Sequence, residues 1–138
     1  MRHAIRLAAL LSVLSGPALA FCEDMAALGN DGGMLASPDG GAIVECTTSL
    51  QLGGEVQTQC GWPFAYRSQD AADAFTRLND TVVDCLGTDV MITQDQSVNH
   101  PDFYDLRMYQ SEAQEIGVSL KDKAALQQTY VFLRLSPS

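Results

Sequence analysis

The chain is poor in basic side chains: eight Lys and Arg stand against seventeen Asp and Glu, for a formal charge of −9 over 138 residues. Such a field repels phosphate backbones, so a nucleic-acid partner is not expected. No apolar run reaches the roughly 18 residues that cross a bilayer, and no membrane span is expected once the N-terminal segment is removed. Histidine is scarce, with only His3 and His100, and the four cysteines contain no Cys-x-x-Cys pair. Zinc-site spacing and thioredoxin-like redox motifs are therefore missing, and neither a metal nor a cofactor is expected. Gly-x-Ser-x-Gly, His-Glu-x-x-His and Ser-x-x-Lys are absent as well, which removes the familiar nucleophile and metalloprotease frameworks.

What is present begins with an export pattern. Arg2 and Arg6 are followed by an apolar core from Leu7 to Leu14, a break at Gly16-Pro17, and the small-residue run Ala18-Leu19-Ala20. This reads as a signal peptide over residues 1–20, cleaved after Ala20. Phe21 before Cys22 lacks the small residue that lipid attachment needs. Cleavage leaves residues 21–138 as one domain, with six basic residues against seventeen acidic ones, a net charge of −11. The expected location is the periplasm or the extracellular medium.

Four cysteines then remain, Cys22, Cys46, Cys60 and Cys85, an even number in an exported domain, which reads as two disulfides. Between Ala42 and Tyr66 the apolar residues, including Val44, Cys46, Cys60, Trp62 and Phe64, fall on even numbers, as do Leu50 and Leu52. That is the period-two pattern of a half-buried hairpin. A three-residue loop Leu52-Gly53-Gly54, with Gly54 in a left-handed bulge position, preserves the shared face and sets Cys46 across from Cys60. Ser68 as cap, Asp70 and Asp73 near the start and Gly87 as stop mark a long helix. Its apolar face is Ala71, Ala74, Phe75, Leu78, Val82, Cys85 and Leu86. Folded back along the strand it leaves, that helix brings Cys85 over residues 58–60. Cys60–Cys85 with Cys22–Cys46 is the favoured pairing; Cys46–Cys60 with Cys22–Cys85 is the alternative.

Elsewhere, Cys22 to Leu28 suits a short helix, and Gly29 to Gly41 reads as consecutive tight turns. Val90-Met91-Ile92 suits a short strand. Phe103–Gln110 and Glu115–Leu120 suggest a second hairpin around Glu112, with Tyr104, Leu106 and Met108 sharing a face with Ile116, Val118 and Leu120. Lys121–Gln128 is a connector, and Thr129–Leu135 a last strand that is apolar on both sides. The expected fold is α+β: a mostly antiparallel sheet of about five strands, formed by a hairpin, a long helix and three further strands. One main helix packs on one face and two disulfides staple the domain.

Chemistry-bearing residues are few. His100 and Asp102 form a weak general-base pair in a long connection, which a turn entering the next strand also explains. Lys121 and Lys123 form the only basic cluster, and with Arg107 and Arg134 they suit a carboxylate or phosphate. Trp62, Tyr130 and Phe132 are candidate contact aromatics. The reading these features favour is a non-catalytic interaction module of the bacterial periplasm, an inhibitor, immunity-type protein or assembly factor. Its expected partner is another envelope protein or a second copy of the chain. The alternatives are a small-ligand binder, with Trp62, Tyr104 or Tyr130 lining a pocket between helix and sheet, and a small hydrolase using His100 and Asp102.

Overall fold

The computed structural model of the chain describes residues 16–87, 91–96 and 102–137. Helix α1 spans Pro17–Leu28 with Pro17 in its first turn. Proline lacks an N–H that would be unpaired there anyway, so the Gly-Pro pair opens a helix where the sequence suggested only a break. Phe21, Met25 and Leu28, spaced four and three residues apart, are buried on one face.

Strand β1 spans Gly33–Ala36, β2 Ile43–Leu50 and β3 Val56–Ala65, after which the chain forms helix α2 over Gln69–Leu86. The Ser68 hydroxyl accepts from the Ala71 amide at 3.2 Å, and Gly87 closes the helix in a left-handed conformation. Both ends lie where the sequence placed them. Ala71, Phe75, Leu78 and Val82 are buried against the sheet. Then follow β4 (Met91–Asp95), β5 (Tyr104–Gln110), β6 (Gln114–Lys123), a single 3-10 turn over Ala124–Leu126, and β7 (Gln128–Pro137).

The strands form one antiparallel sheet in the order β1-β2-β3-β7-β6-β5-β4. The α+β class with two disulfides stands, but among the described residues the sheet has seven strands, not about five, and two α-helices, not one main helix, accompany it. The additional strand β1 lies inside the glycine-rich stretch read as turns. Four residues carry too little pattern to announce a strand, and its hydrogen bonds come from Ile43–Cys46, a segment further along the chain.

The first hairpin has the expected register. Thr47 faces Gln59 and Leu50 faces Val56, and the Gln51 amide donates to the Glu55 carbonyl at 2.8 Å around Leu52-Gly53-Gly54. Gly54 takes the positive φ of 88° that this loop requires. Cys46 and Cys60 lie one step beyond Thr47 and Gln59, with Cα atoms 4.2 Å apart, and are bonded to each other. The second bridge is Cys22–Cys85, with Cα atoms 5.4 Å apart. The favoured pairing of Cys60 with Cys85 is thus overturned. Cys60 is taken by its cross-strand neighbour, and α1 packs beside α2, which brings Cys22 to the last turn of that helix.

Two further expectations give way to geometry. The second hairpin exists, but its loop is the two-residue Glu112-Ala113, closed by the Ser111 amide on the Gln114 carbonyl at 2.8 Å. A two-residue loop makes paired numbers sum to an odd value. Tyr104, Leu106 and Met108 therefore oppose Lys121, Ser119 and Gly117, while Asp105, Arg107 and Tyr109 join Ile116 and Val118 on the core side. In β2 the alternation outruns the helices that cover it, and Leu50 is 74% exposed.

The bridges close loops of different length, 63 and 14 residues in sequence separation. Chain entropy assigns about 4 kcal/mol to Cys22–Cys85 and about 3 kcal/mol to Cys46–Cys60. Urea unfolding of the Cys22→Ala/Cys85→Ala and Cys46→Ala/Cys60→Ala double variants should show the larger loss in the first. Non-reducing peptide mapping that recovers Cys60 joined to Cys85 would refute the connectivity.

Candidate functional site

Both helices lie on the same side of the sheet, so that side contains the core: Leu35, Cys60, Trp62, Val118, Val131 and Leu133 pack beneath Phe21, Phe75, Leu78 and Val82. Strand β7 runs between β3 and β6 near the middle of the sheet. Its pleat sends Val131, Leu133 and Leu135 into the core and Tyr130, Phe132 and Arg134 to the opposite face. No helix among the described residues covers that second face.

The second face is built by close approaches. The rings of Tyr130 and Phe132 are nearly parallel, with centroids 5.4 Å apart. Phe132 faces Gly61 across the ladder, where an added Cβ would fall 2.7 Å from the ring, so only glycine lets the ring lie over the strand. Arg134 faces Gly117, where a Cβ would meet Met108 Sδ at 3.0 Å and the Arg134 Nε at 3.4 Å. The Arg134 guanidinium donates to Met108 Sδ at 3.3 Å. Between these groups lies a depression of about 140 Å3 lined by Gln59, Tyr104, Leu106, Gly117, Ser119, Lys121, Phe132 and Arg134. Its lining includes two cations and no carboxylate. Burial is the main reason the Tyr104 phenol titrates above its ordinary value; Arg134 opposes this and Asp95 adds to it.

The other arginines among the described residues are matched. Arg67 pairs with Asp122 at 2.8 Å, Arg77 with Asp39 at 3.1 Å and Arg107 with Asp105 at 3.6 Å. Among the described residues Lys121, Lys123 and Arg134 have no such partner, and two of these three, Lys121 and Arg134, line the depression. In a chain with more than twice as many acids as bases, two unmatched cations lining one depression stand out from the rest.

On the helix side a cavity of about 330 Å3 lies between the first half of α2 and the β1–β2 turn, lined by Pro38, Asp39, Trp62, Phe64, Asp70, Asp73, Ala74 and Arg77 among others. Trp62 is 3% exposed and its indole N–H donates to the Ala42 carbonyl at 3.1 Å. The Ser37 hydroxyl, the Gly41 amide and, more weakly, the Arg77 guanidinium hold the Asp39 carboxyl below its usual range.

The candidates named from sequence divide between the two faces. Lys121, Tyr130 and Phe132 come together with Tyr104, and Lys123 follows on the same side of β6, opposite Gln128. Trp62 is on the core side, paired with Val131, so it shares no pocket with Tyr104 or Tyr130. Arg107 is also on the core side, its guanidinium 4.9 Å from the Phe75 ring centroid. Asp102 accepts from the Ala124 amide at 2.9 Å, tethering the turn before β7, and His100 lies outside the described residues. Gln59 and Ser119 were not singled out from sequence, although Ser119 has the same parity as Lys121. Among the described residues no group of three His, Cys, Asp or Glu side chains is placed to hold a metal ion. No protein-family model matches the chain, and neither does any curated protein or solved structure.

Because the Asp39 carboxyl is depressed in the fold, its contribution to stability is present above the ordinary carboxylate range and is lost as pH falls through the folded value. NMR titration should give Asp39 a midpoint below the usual aspartate value, moving up in Ser37→Ala. An unchanged midpoint in that variant would refute the hydroxyl as the main cause.

Proposed function

We propose that the protein is an exported, non-catalytic interaction module of the bacterial periplasm that docks another envelope protein on the uncovered face of its sheet. Two disulfides belong to a non-cytoplasmic protein, and no helix among the described residues is long and apolar enough to cross a membrane. Cleavage after Ala20 would leave Phe21, the first buried residue of α1, at the mature N-terminus, one residue before the Cys22 bridge.

The observation that carries the reading is the pairing of stacked Tyr130 and Phe132 with unmatched Lys121 and Arg134 on a face without a covering layer. Aromatic and arginine side chains in a partly desolvated depression are what binding hot spots are made of. A second copy of the chain is a poorer occupant: a two-fold axis through this depression would bring the cations of the two copies toward one another, and each copy's lining has no carboxylate to receive them. An acidic region of a different protein has the matching charge.

A photo-crosslinker at position 130 of the exported, tagged chain tests this. One heterologous protein should be captured, and capture should fall about tenfold or more in Phe132→Ser and in the surface reversal Lys121→Glu while the melting temperature of the latter is retained. Self-crosslinks alone, or capture indifferent to both substitutions, would overturn the proposal.

Small-ligand binding is the second reading, favoured by the cavity beneath α2. Trp62 and Phe64 with Asp70 and Asp73 suit a small amine or quaternary ammonium group. A panel of diamines and quaternary ammonium salts should raise the melting temperature, and Asp70→Asn/Asp73→Asn should abolish the rise. A flat response across the panel removes this reading.

A further inference from the structure

We infer that the depression on the uncovered face is a carboxylate-receiving subsite, taking the acidic side chain or the C-terminal carboxylate of a docked chain. This rests on the reading of that face as a docking surface and names what its centre recognises. Across β6 and β7 the side chains form three successive rows: Lys121 opposite Tyr130, Ser119 opposite Phe132, and Gly117 opposite Arg134. Gln59 continues the last row on β3, opposite Arg134. The two cations therefore bracket Ser119, and Lys121 and Arg134 belong to the lining together with its hydroxyl and the Gln59 amide.

These donors are idle. Ser119 is 8% exposed, and among the described residues neither its hydroxyl nor the Gln59 amide has a hydrogen-bond partner. The Arg134 guanidinium reaches only a thioether, a weak acceptor, and the Lys121 ammonium lies 5.8 Å from the Tyr104 ring centroid. A carboxylate offers two acceptor oxygens for such donors, and a charge-assisted bond is roughly twice as strong as a neutral one. Phe132, Tyr104 and Leu106 give the depression an apolar wall for the carbon stem behind that carboxylate.

The charge of the whole molecule opposes anions at a distance, so the subsite acts locally. With the signal removed the chain is −11, and the attraction has to come from close range. Within a screening length of about 8 Å at physiological salt, Lys121 and Arg134 supply that attraction, opposed by Asp95, which stands across from Leu106 on the neighbouring strand.

The test uses the labelled mature protein and four probes followed by NMR: an acidic hexapeptide with an amidated C-terminus, a neutral hexapeptide with a free C-terminus, the same neutral peptide amidated, and inorganic phosphate. Shifts at Gly117, Ser119 and Phe132 with the first or second probe, and none with the third, are expected. The responding probe identifies whether side-chain or terminal carboxylate is the ligand. Affinity should fall about tenfold in Arg134→Met and in Lys121→Met, recover in part in Arg134→Lys, and weaken as salt is raised. Equal binding of the third peptide, tighter binding of phosphate, or no response to either carboxylate overturns the inference. If the position-130 crosslink is at the same time unchanged in Arg134→Met, the docking reading survives and the carboxylate subsite alone fails.

Discussion

Alternation along β7 divides one strand between two environments, and the rest of the molecule is arranged around that division. Hydrogen-bonded to β3 on one side and β6 on the other, β7 has no free edge, so its neighbours fix both sets of side chains in place. Val131, Leu133 and Leu135 make the floor on which α1 and α2 pack, while Tyr130, Phe132 and Arg134 face away from them. A strand apolar on both sides calls for cover on both sides. The described residues supply two α-helices, and both go to the same side.

The charge distribution sharpens this asymmetry. Arg67, Arg77 and Arg107 are each held by a carboxylate that also belongs to the structure. Arg67, for example, joins Asp122 and Thr129 in tying the start of α2 to the turn between β6 and β7, with Asp122 buried and Thr129 donating to it at 2.7 Å. Lys121 and Arg134 do no comparable structural task. Glycine at positions 61 and 117 lets Phe132 and Arg134 lie close to the sheet, which creates a depression where larger residues would have filled the space.

The disulfides stabilise the covered side. Cys46–Cys60 sits where β2 leaves β1 and begins to pair with β3, and Cys22–Cys85 ties α1 to the end of α2. One bridge fixes two neighbouring strands near the β1 edge of the sheet and the other fixes the two helices to each other, close to the N-terminus, where fraying would otherwise begin.

Much of this was legible in the sequence because it is local. The Ser68 cap and Gly87 stop of α2, the alternation in the first hairpin and the Gly54 bulge each depend on residues within a few positions of one another. The loop Leu52-Gly53-Gly54 even placed Cys46 across from Cys60. The sequence by itself thus determined the α+β class, the long helix, the first hairpin register and the presence of two disulfides. Only the tertiary structure decided which cysteines pair, because the position of α1 beside α2 depends on contacts between segments some sixty residues apart. The same holds for the faces of β5: the two-residue Glu112-Ala113 turn inverts the parity, which takes Tyr104 to the side of Lys121 and Phe132. Pleat alternation is a property of each strand, but which face meets the helices is set by register between strands, and that is a collective property of the folded sheet.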